Sequence, residues 1–257
     1  MNPALRFVIL NLSFLRGLSL VKRMLVALLV ALALGSPAWA DFKIQDWSFD
    51  KDSPGTPPAG FVVGKTNGES GRWEVAADAK AVSAPHVLVR IPSEKQSPAP
   101  QVIFIDGIEA MNLDLTVRIK TASSGDGQGG GVIFRAEDDR NYYVVWLNPQ
   151  EKLVRLDKVV SGEVKPLQDL KVESMEIGRW HNLRLSIRSA EMEAIFDNRQ
   201  LISAREEAWE FGRYKKGKVG LWARGPAVTY FDNLRFTPMD GGTGGAPLGG
   251  TETTIIK

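Results

Sequence analysis

Six side chains in the middle and late parts of the chain combine two chemistries that recognise sugars: Arg118, Arg135, Tyr142, Trp146, Arg155 and Trp222. Flat Trp and Tyr faces stack on the C–H-rich side of sugar rings, while guanidinium forks donate to hydroxyl or carboxylate oxygens. Strand alternation places five of them together. If the odd positions from Met111 to Ile119 are core, with Phe134, Tyr143, Val145 and Leu156, then Arg118, Arg135, Tyr142, Trp146 and Arg155 face the other way. Neighbouring strands would bring them within reach of one another, and Trp222 in GLWARG would join from another strand. The plainer reading of the same residues is Arg stems covering aromatic surface and pairing with Asp114 or Asp157.

Groups suited to catalysis are scarcer. The chain has no cysteine, which removes thiol nucleophiles, disulfides and cysteine-ligated zinc. Of its two histidines, His181 falls in register with Leu183, Leu185 and Ile187, so it reads as packed and hydrogen-bonded beside Trp180. His86 begins a strand after Pro85 and reads as structural too. Trp180 and Trp209 look like core. Oxygen ligands suit calcium, and Asp126, Asp138 and Asp232, with Asn233, are the candidates to hold it. Asp138 nevertheless sits in Glu137-Asp138-Asp139, where a hairpin turn is expected, and Asp232-Asn233 equally suits a bulge or cap.

The elements that must position these groups are short strands of β-branched and aromatic residues. Met111, Leu113, Leu115, Val117 and Ile119 alternate with Asn112, Asp114, Thr116, Arg118 and Lys120, one buried face and one polar. A glycine loop at 121–131 follows, then strands near 131–136, 141–147, 151–159, 179–188, 191–196, 198–203, 217–223 and 226–236. Asn141–Leu147 is apolar or aromatic on both sides, as a strand in the middle of a sheet must be. Residues 163–174 are polar and hold one short strand or none, 92–100 form an exposed loop, and 205–211 could form a helical turn. This pattern predicts an all-β, two-sheet antiparallel sandwich.

At the start, residues 24–34 are an 11-residue apolar run preceded by Lys22-Arg23 and followed by Ala38-Trp39-Ala40. That is the layout of a signal peptide over 1–40, too short to span a membrane as an anchor, with residues 1–20 expected to be a mis-assigned start upstream of Val21. Removing the four basic leader residues from the 32 leaves 28 against 30 acidic ones, about −2 in all, so nothing favours nucleic acid. The sandwich is expected over 41–238 and a flexible glycine-rich tail over 239–257, in a monomeric protein that is periplasmic or secreted.

The stretches GGGVIFRAEDDRNYYVVWLN, KLVRLDKVVSGE, GRWHNLRL and KVGLWARGPAVTYFDNLRF resemble a bacterial family of concanavalin-like jelly rolls. That family is related to laminin G-like domains and glycoside hydrolase family 16, and is often labelled the 3-keto-disaccharide hydrolase domain. WSFDKDSPGTPPAGF at 47–61 is similar to the family's first strand and turn, so the resemblance covers Phe42 to Pro238. It implies a jelly-roll sandwich and carbohydrate-related work outside the cytoplasm, by binding or by hydrolysis or hydration of keto-sugars. The family 16 signature Glu-x-Asp-x-(x)-Glu, which would set carboxylates on one face of a strand, has no match here. Glu191-Met192-Glu193 lacks the further acidic residues, and Glu173 and Glu176 lie in a turn-rich stretch. The expected function is therefore binding of a glycan or sugar derivative on one sheet face, with no required cofactor. Its rivals are a hydrolase or hydratase acting on glycosides or 3-keto-glycosides, and an envelope or adhesion module with a protein partner.

Overall fold

The computed structural model describes residues 44–66, 69–92, 99–123, 125, 127–206, 215–240 and 254–256, all within one compact unit spanning Phe42–Lys257. Among them every regular element is a strand. In chain order the first are β1 (Gln45–Trp47), β2 (Phe61–Val63), β3 (Lys65–Thr66), β4 (Glu69–Ser70), β5 (Arg72–Ala77) and β6 (His86–Ile91). The middle of the chain forms β7 (Gln101–Ala110), β8 (Leu113–Thr121), β9 (Gly129–Ala136), β10 (Tyr142–Asn148), β11 (Leu153–Val160) and β12 (Glu163–Lys171). The remainder forms β13 (His181–Arg188), β14 (Glu191–Phe196), β15 (Gln200–Glu206), β16 (Gly217–Arg224), β17 (Thr229–Pro238) and β18 (Thr254–Ile256).

These strands pair into two sheets, a jelly-roll sandwich. The first runs β18-β15-β14-β13-β8-β17-β6-β5, with β1 also on β17; the second runs β12-β11-β10-β9-β16-β7-β2. The pairs within them are antiparallel except β15–β18, so part of the segment read as a glycine-rich tail lies along the first sheet's edge. β3 and β4 pair with each other and are part of neither sheet's ladder.

Alternation dictates which residues fill the space between the sheets. Leu113, Leu115, Val117 and Ile119 of β8 and Leu183, Leu185 and Ile187 of β13 meet Phe134, Tyr143, Val145 and Leu156 from the second sheet in one buried cluster. Met111 precedes β8 and is only partly buried, so the alternating core set begins at Leu113. A second apolar cluster, Val102, Phe104, Ile133, Tyr142, Val144, Trp146 and Trp222 among its members, covers the outer face of the second sheet. That is why β10 is buried at every position.

Some expectations need correcting. Glu163–Lys171 forms a nine-residue edge strand rather than a short strand or none; its polar residues and Pro166 suit an edge, where no further partner needs the missing N–H. Trp180 is not core: it is partly exposed on the outer face of the first sheet, its indole N–H donating to Lys80 O at 3.0 Å. Arg205 and Glu206 end β15, while the rest of 205–211, including Trp209, lies outside the described residues, as do 1–43 and 93–98.

Candidate functional site

The outer face of the second sheet gathers four of the six expected residues. Trp146 on β10 and Trp222 on β16 both stand opposite Gly131 of β9. With no side chain between them, the two indoles meet with ring centroids 5.0 Å apart and planes at 43°. A Cβ on Gly131 would come within 2.5 Å of Trp146 Cβ, and one on Gly129 within 2.6 Å of its Cε3. The glycines therefore form the floor on which the Trp146 ring lies.

Arg155 pairs across from Trp146 on β11, its guanidinium 5.5 Å from the indole centroid, while its Nε donates to Asp169 at 2.9 Å. Arg224 sits 6.0 Å from the same ring. Beneath them Trp146 Nε1 donates to Asp157 Oδ2 at 2.6 Å. Asp157 is only 3% exposed, and its other oxygen, Oδ1, has no hydrogen-bond partner. Burial pushes the Asp157 carboxyl above its ordinary 3.8, and the Asp169 charge adds to this; the Trp146 hydrogen bond and the Arg155 and Arg224 charges only partly oppose it. Trp222 Nε1 is likewise buried, beside the Tyr142 hydroxyl but without a hydrogen bond of ordinary geometry. Burial raises that hydroxyl to about 12, with Asp139 and Asp157 acting in the same direction.

The ring faces are not open. Tyr142 is 1%, Trp146 2% and Trp222 3% exposed, so the expected row points outward but is closed over. Arg155 and Arg224 cover Trp146. Gly64–Thr66 cross the same face near Phe104, held by Gly64 N donating to Val102 O at 3.0 Å and Lys65 N to Asp139 Oδ2 at 2.7 Å.

Two expected members lie elsewhere. Arg135 has φ +50° at the end of β9, and this bulged backbone breaks the alternation on which its facing was inferred. It is fully buried, Nε and Nη2 each donating to Met111 O at 3.3 Å and Nη2 also to Ser189 O. Arg118 does face outward, but β8 belongs to the first sheet, so outward there is the opposite side of the molecule. Asp157, weighed from the sequence only as a partner for arginine, and Arg224 are the residues that reading missed. The available signal was Asp157's place two residues from Arg155, on the same face as Trp146.

Neither histidine is poised for proton transfer. His181 is buried against Phe196 with Nδ1 2.8 Å from Asp197 and Nε2 2.9 Å from Glu176 O. His86 Nδ1 lies 3.1 Å from Asp50 O.

Of the calcium candidates, Asp138 and Asp232 bond to different parts of the chain. Asp138 closes its hairpin by accepting from Arg140 N and Asn141 Nδ2. Asp232 is wholly buried in a bulge of β17 and accepts from Ser83 N and Asn233 N. Asp126 lies outside the described residues. Among those residues no three His, Cys, Asp or Glu side chains lie together.

The sandwich is similar to the carbohydrate-binding module CBM66 from Bacillus subtilis, with TM-score 0.54 and 16% identity over 69% of this chain and 95% of that one. It is also similar to SCLam, a non-specific endo-β-1,3(4)-glucanase from family GH16 (TM-score 0.53, 13% identity, 77% and 91%). A third similar structure is the GlcNAcα1-4Gal-releasing endo-β-galactosidase from Clostridium perfringens (0.50, 12%, 79% and 65%). No family model matches the chain, and no curated protein matches it. At such identities the likeness defines the jelly-roll fold and leaves the chemistry to the residues themselves.

Proposed function

We propose that this protein binds a saccharide on the outer face of its second sheet, and that it does so as an exported protein after loss of its leader. The observation that carries the binding reading is a pair of poorly satisfied buried polar atoms in one aromatic patch: Asp157 Oδ1, which has no hydrogen-bond partner, and Trp222 Nε1, which has none of ordinary geometry. An unpaired buried polar atom costs about 1–3 kcal/mol, so a ligand group able to pair with one recovers that cost on binding. A sugar hydroxyl both donates and accepts.

Access requires Arg155 and Arg224 to swing off Trp146. A guanidinium over a ring as buried as Trp146 contributes about 2 kcal/mol, and a sugar ring stacking in its place would offset part of that. The displaced guanidiniums then remain beside the ligand as donors. The carbohydrate-binding and glycan-cleaving structures that share the fold support the same class of ligand.

The test is calorimetric titration with neutral oligosaccharides, comparing the wild-type protein with Trp222→Phe. That substitution removes an N–H that the free protein engages only weakly, through the nearby Tyr142 hydroxyl, so a Kd about tenfold weaker, or about 1.4 kcal/mol, is expected with the fold retained. Equal affinities, or no binding by the wild type to any of them, would contradict the proposal.

One observation favours hydrolysis as the second reading. Asp157, with its raised pKa, adjoins Asp169, a carboxylate ion-paired to Arg155 on the next strand. A carboxyl whose proton is held more tightly by burial, close to a second carboxylate paired with arginine, is the arrangement that glycoside cleavage uses. Release of sugar from glycosides or 3-keto-glycosides, lost in Asp157→Asn, would establish it; no turnover leaves binding alone.

A further inference from the structure

We propose a second ligand site on the opposite side of the sandwich, where Arg118 receives the carboxylate of an acidic saccharide such as a uronic acid residue. The site lies outside the second-sheet patch and does not depend on the reading given to it.

Two clefts meet at Arg118 on the outer face of the first sheet. One, of about 460 Å³, lies against the loop from Val172 to His181, with Trp180 and Asp197 in its wall. The other, of about 570 Å³, is lined by Trp47, Ser48, Thr116, Asn182 and Asn233. Either is large enough for a sugar ring. Together they set the Trp180 indole, amides and hydroxyls around a cation, the mixture that a ring rich in hydroxyls and bearing one charge requires, while the Trp47 ring turns inward onto Phe61.

The charge of the ligand follows from which ionic groups are already satisfied. Arg179 pairs with Glu176 at 3.1 Å, His181 with Asp197 at 2.8 Å and Arg235 with Asp46 at 2.6 Å. Arg199 and Glu173 at the rim are exposed and of opposite sign. Arg118, half-buried where the clefts join, makes no hydrogen bond or ion pair with any described residue. Its neighbour across the ladder on β17 is Asp232, whose carboxylate would be the natural counterion. That carboxylate is turned away, accepting from Ser83 N at 2.8 Å and from Asn233 N at 2.7 Å. The structure thus leaves the half-buried Arg118 fork unused where two polar clefts join, with Trp180 in the wall of one. A carboxylate matches that fork through two parallel hydrogen bonds, which a hydroxyl cannot do.

The experiment titrates a galacturonic acid oligomer, and the same oligomer fully methyl-esterified, into wild-type protein, Arg118→Gln, Arg118→Lys and Trp222→Phe, with indole N–H signals followed by NMR. The wild type should bind the acid at least tenfold more tightly than the ester and shift the Trp180 signal. Arg118→Gln should lose that preference. Arg118→Lys should keep part of it, since charge remains but the fork is gone, and Trp222→Phe should bind the acid as the wild type does. No binding of the acid, equal affinity for acid and ester, an undiminished preference in Arg118→Gln, or loss in Trp222→Phe would each overturn the site. The wild-type preference and the shifted signal decide the matter even if Arg118→Gln fails to fold.

Discussion

Trp146 and Trp222 are neighbouring indoles of nearly equal burial, and their ring nitrogens have opposite fates. Trp146 Nε1 is bonded to Asp157, whereas Trp222 Nε1 lies beside the Tyr142 hydroxyl without a hydrogen bond of ordinary geometry. Trp146→Phe would leave Asp157 without a partner on either oxygen, an expected loss of about 1–3 kcal/mol in a urea melt. Trp222→Phe should lose markedly less; equal losses would show that ring volume, not the N–H, sets the cost. Asp157 also makes a pH prediction. Its folded pKa lies above the ordinary 3.8, so the native state holds the proton more tightly than the unfolded chain does. Its contribution to stability is complete below pH 3.8 and declines as pH rises from there through the raised folded value. Asp157→Asn should flatten that decline, as measured by denaturant midpoints across mildly acid to neutral pH. An unchanged slope would mean that Asp232, raised by burial in the same way, accounts for the decline.

β9 is the element on which the patch depends. Its Gly129 and Gly131 are read easily from the sequence as part of a glycine loop, yet they are paired strand residues whose missing side chains make room for Trp146. Gly131→Ala is therefore an overpacking mutation, expected to cost about 1–3 kcal/mol or more, and to diminish sugar binding together with stability. A fully stable Gly131→Ala protein would contradict that packing. At the other end of β9 the alternation rule fails. Counting by twos from Phe134 sends Arg135 outward, but one residue with positive φ turns it onto Met111 O and Ser189 O. Arg135→Ala should lower stability by leaving those carbonyls short of a donor, without altering sugar affinity, which thermal melts and titrations measure separately. A bulge depends on the backbone geometry of one residue, and nothing in the side-chain sequence around Arg135 announces it.

At the scale of the molecule, the two-sheet architecture is legible because a period of two and its turn residues are local properties. Leu113 to Ile119 and the doubly buried β10 could be read directly. Sheet membership could not. β8 and β9 are consecutive in the chain, joined by the glycine loop, but lie in opposite sheets; residues alternating in phase on both therefore end on opposite sides. Arg118 was grouped with Trp146 for that reason. Burial of the aromatic face was equally illegible, because the guanidiniums of Arg155 and Arg224 and the segment Gly64–Thr66 that close it come from three separate parts of the sequence.

Sugars are proposed to engage the second sheet at Asp157 and Trp222. Indole N–H signals of the whole protein, followed by NMR during titration with neutral oligosaccharides, test it most directly. Binding there should shift the Trp222 signal strongly and the Trp146 signal moderately, with Trp47 and Trp180 unmoved. Titrations in which Trp222 stays still while the sugar binds, or in which the signals of the first sheet alone respond, would contradict it.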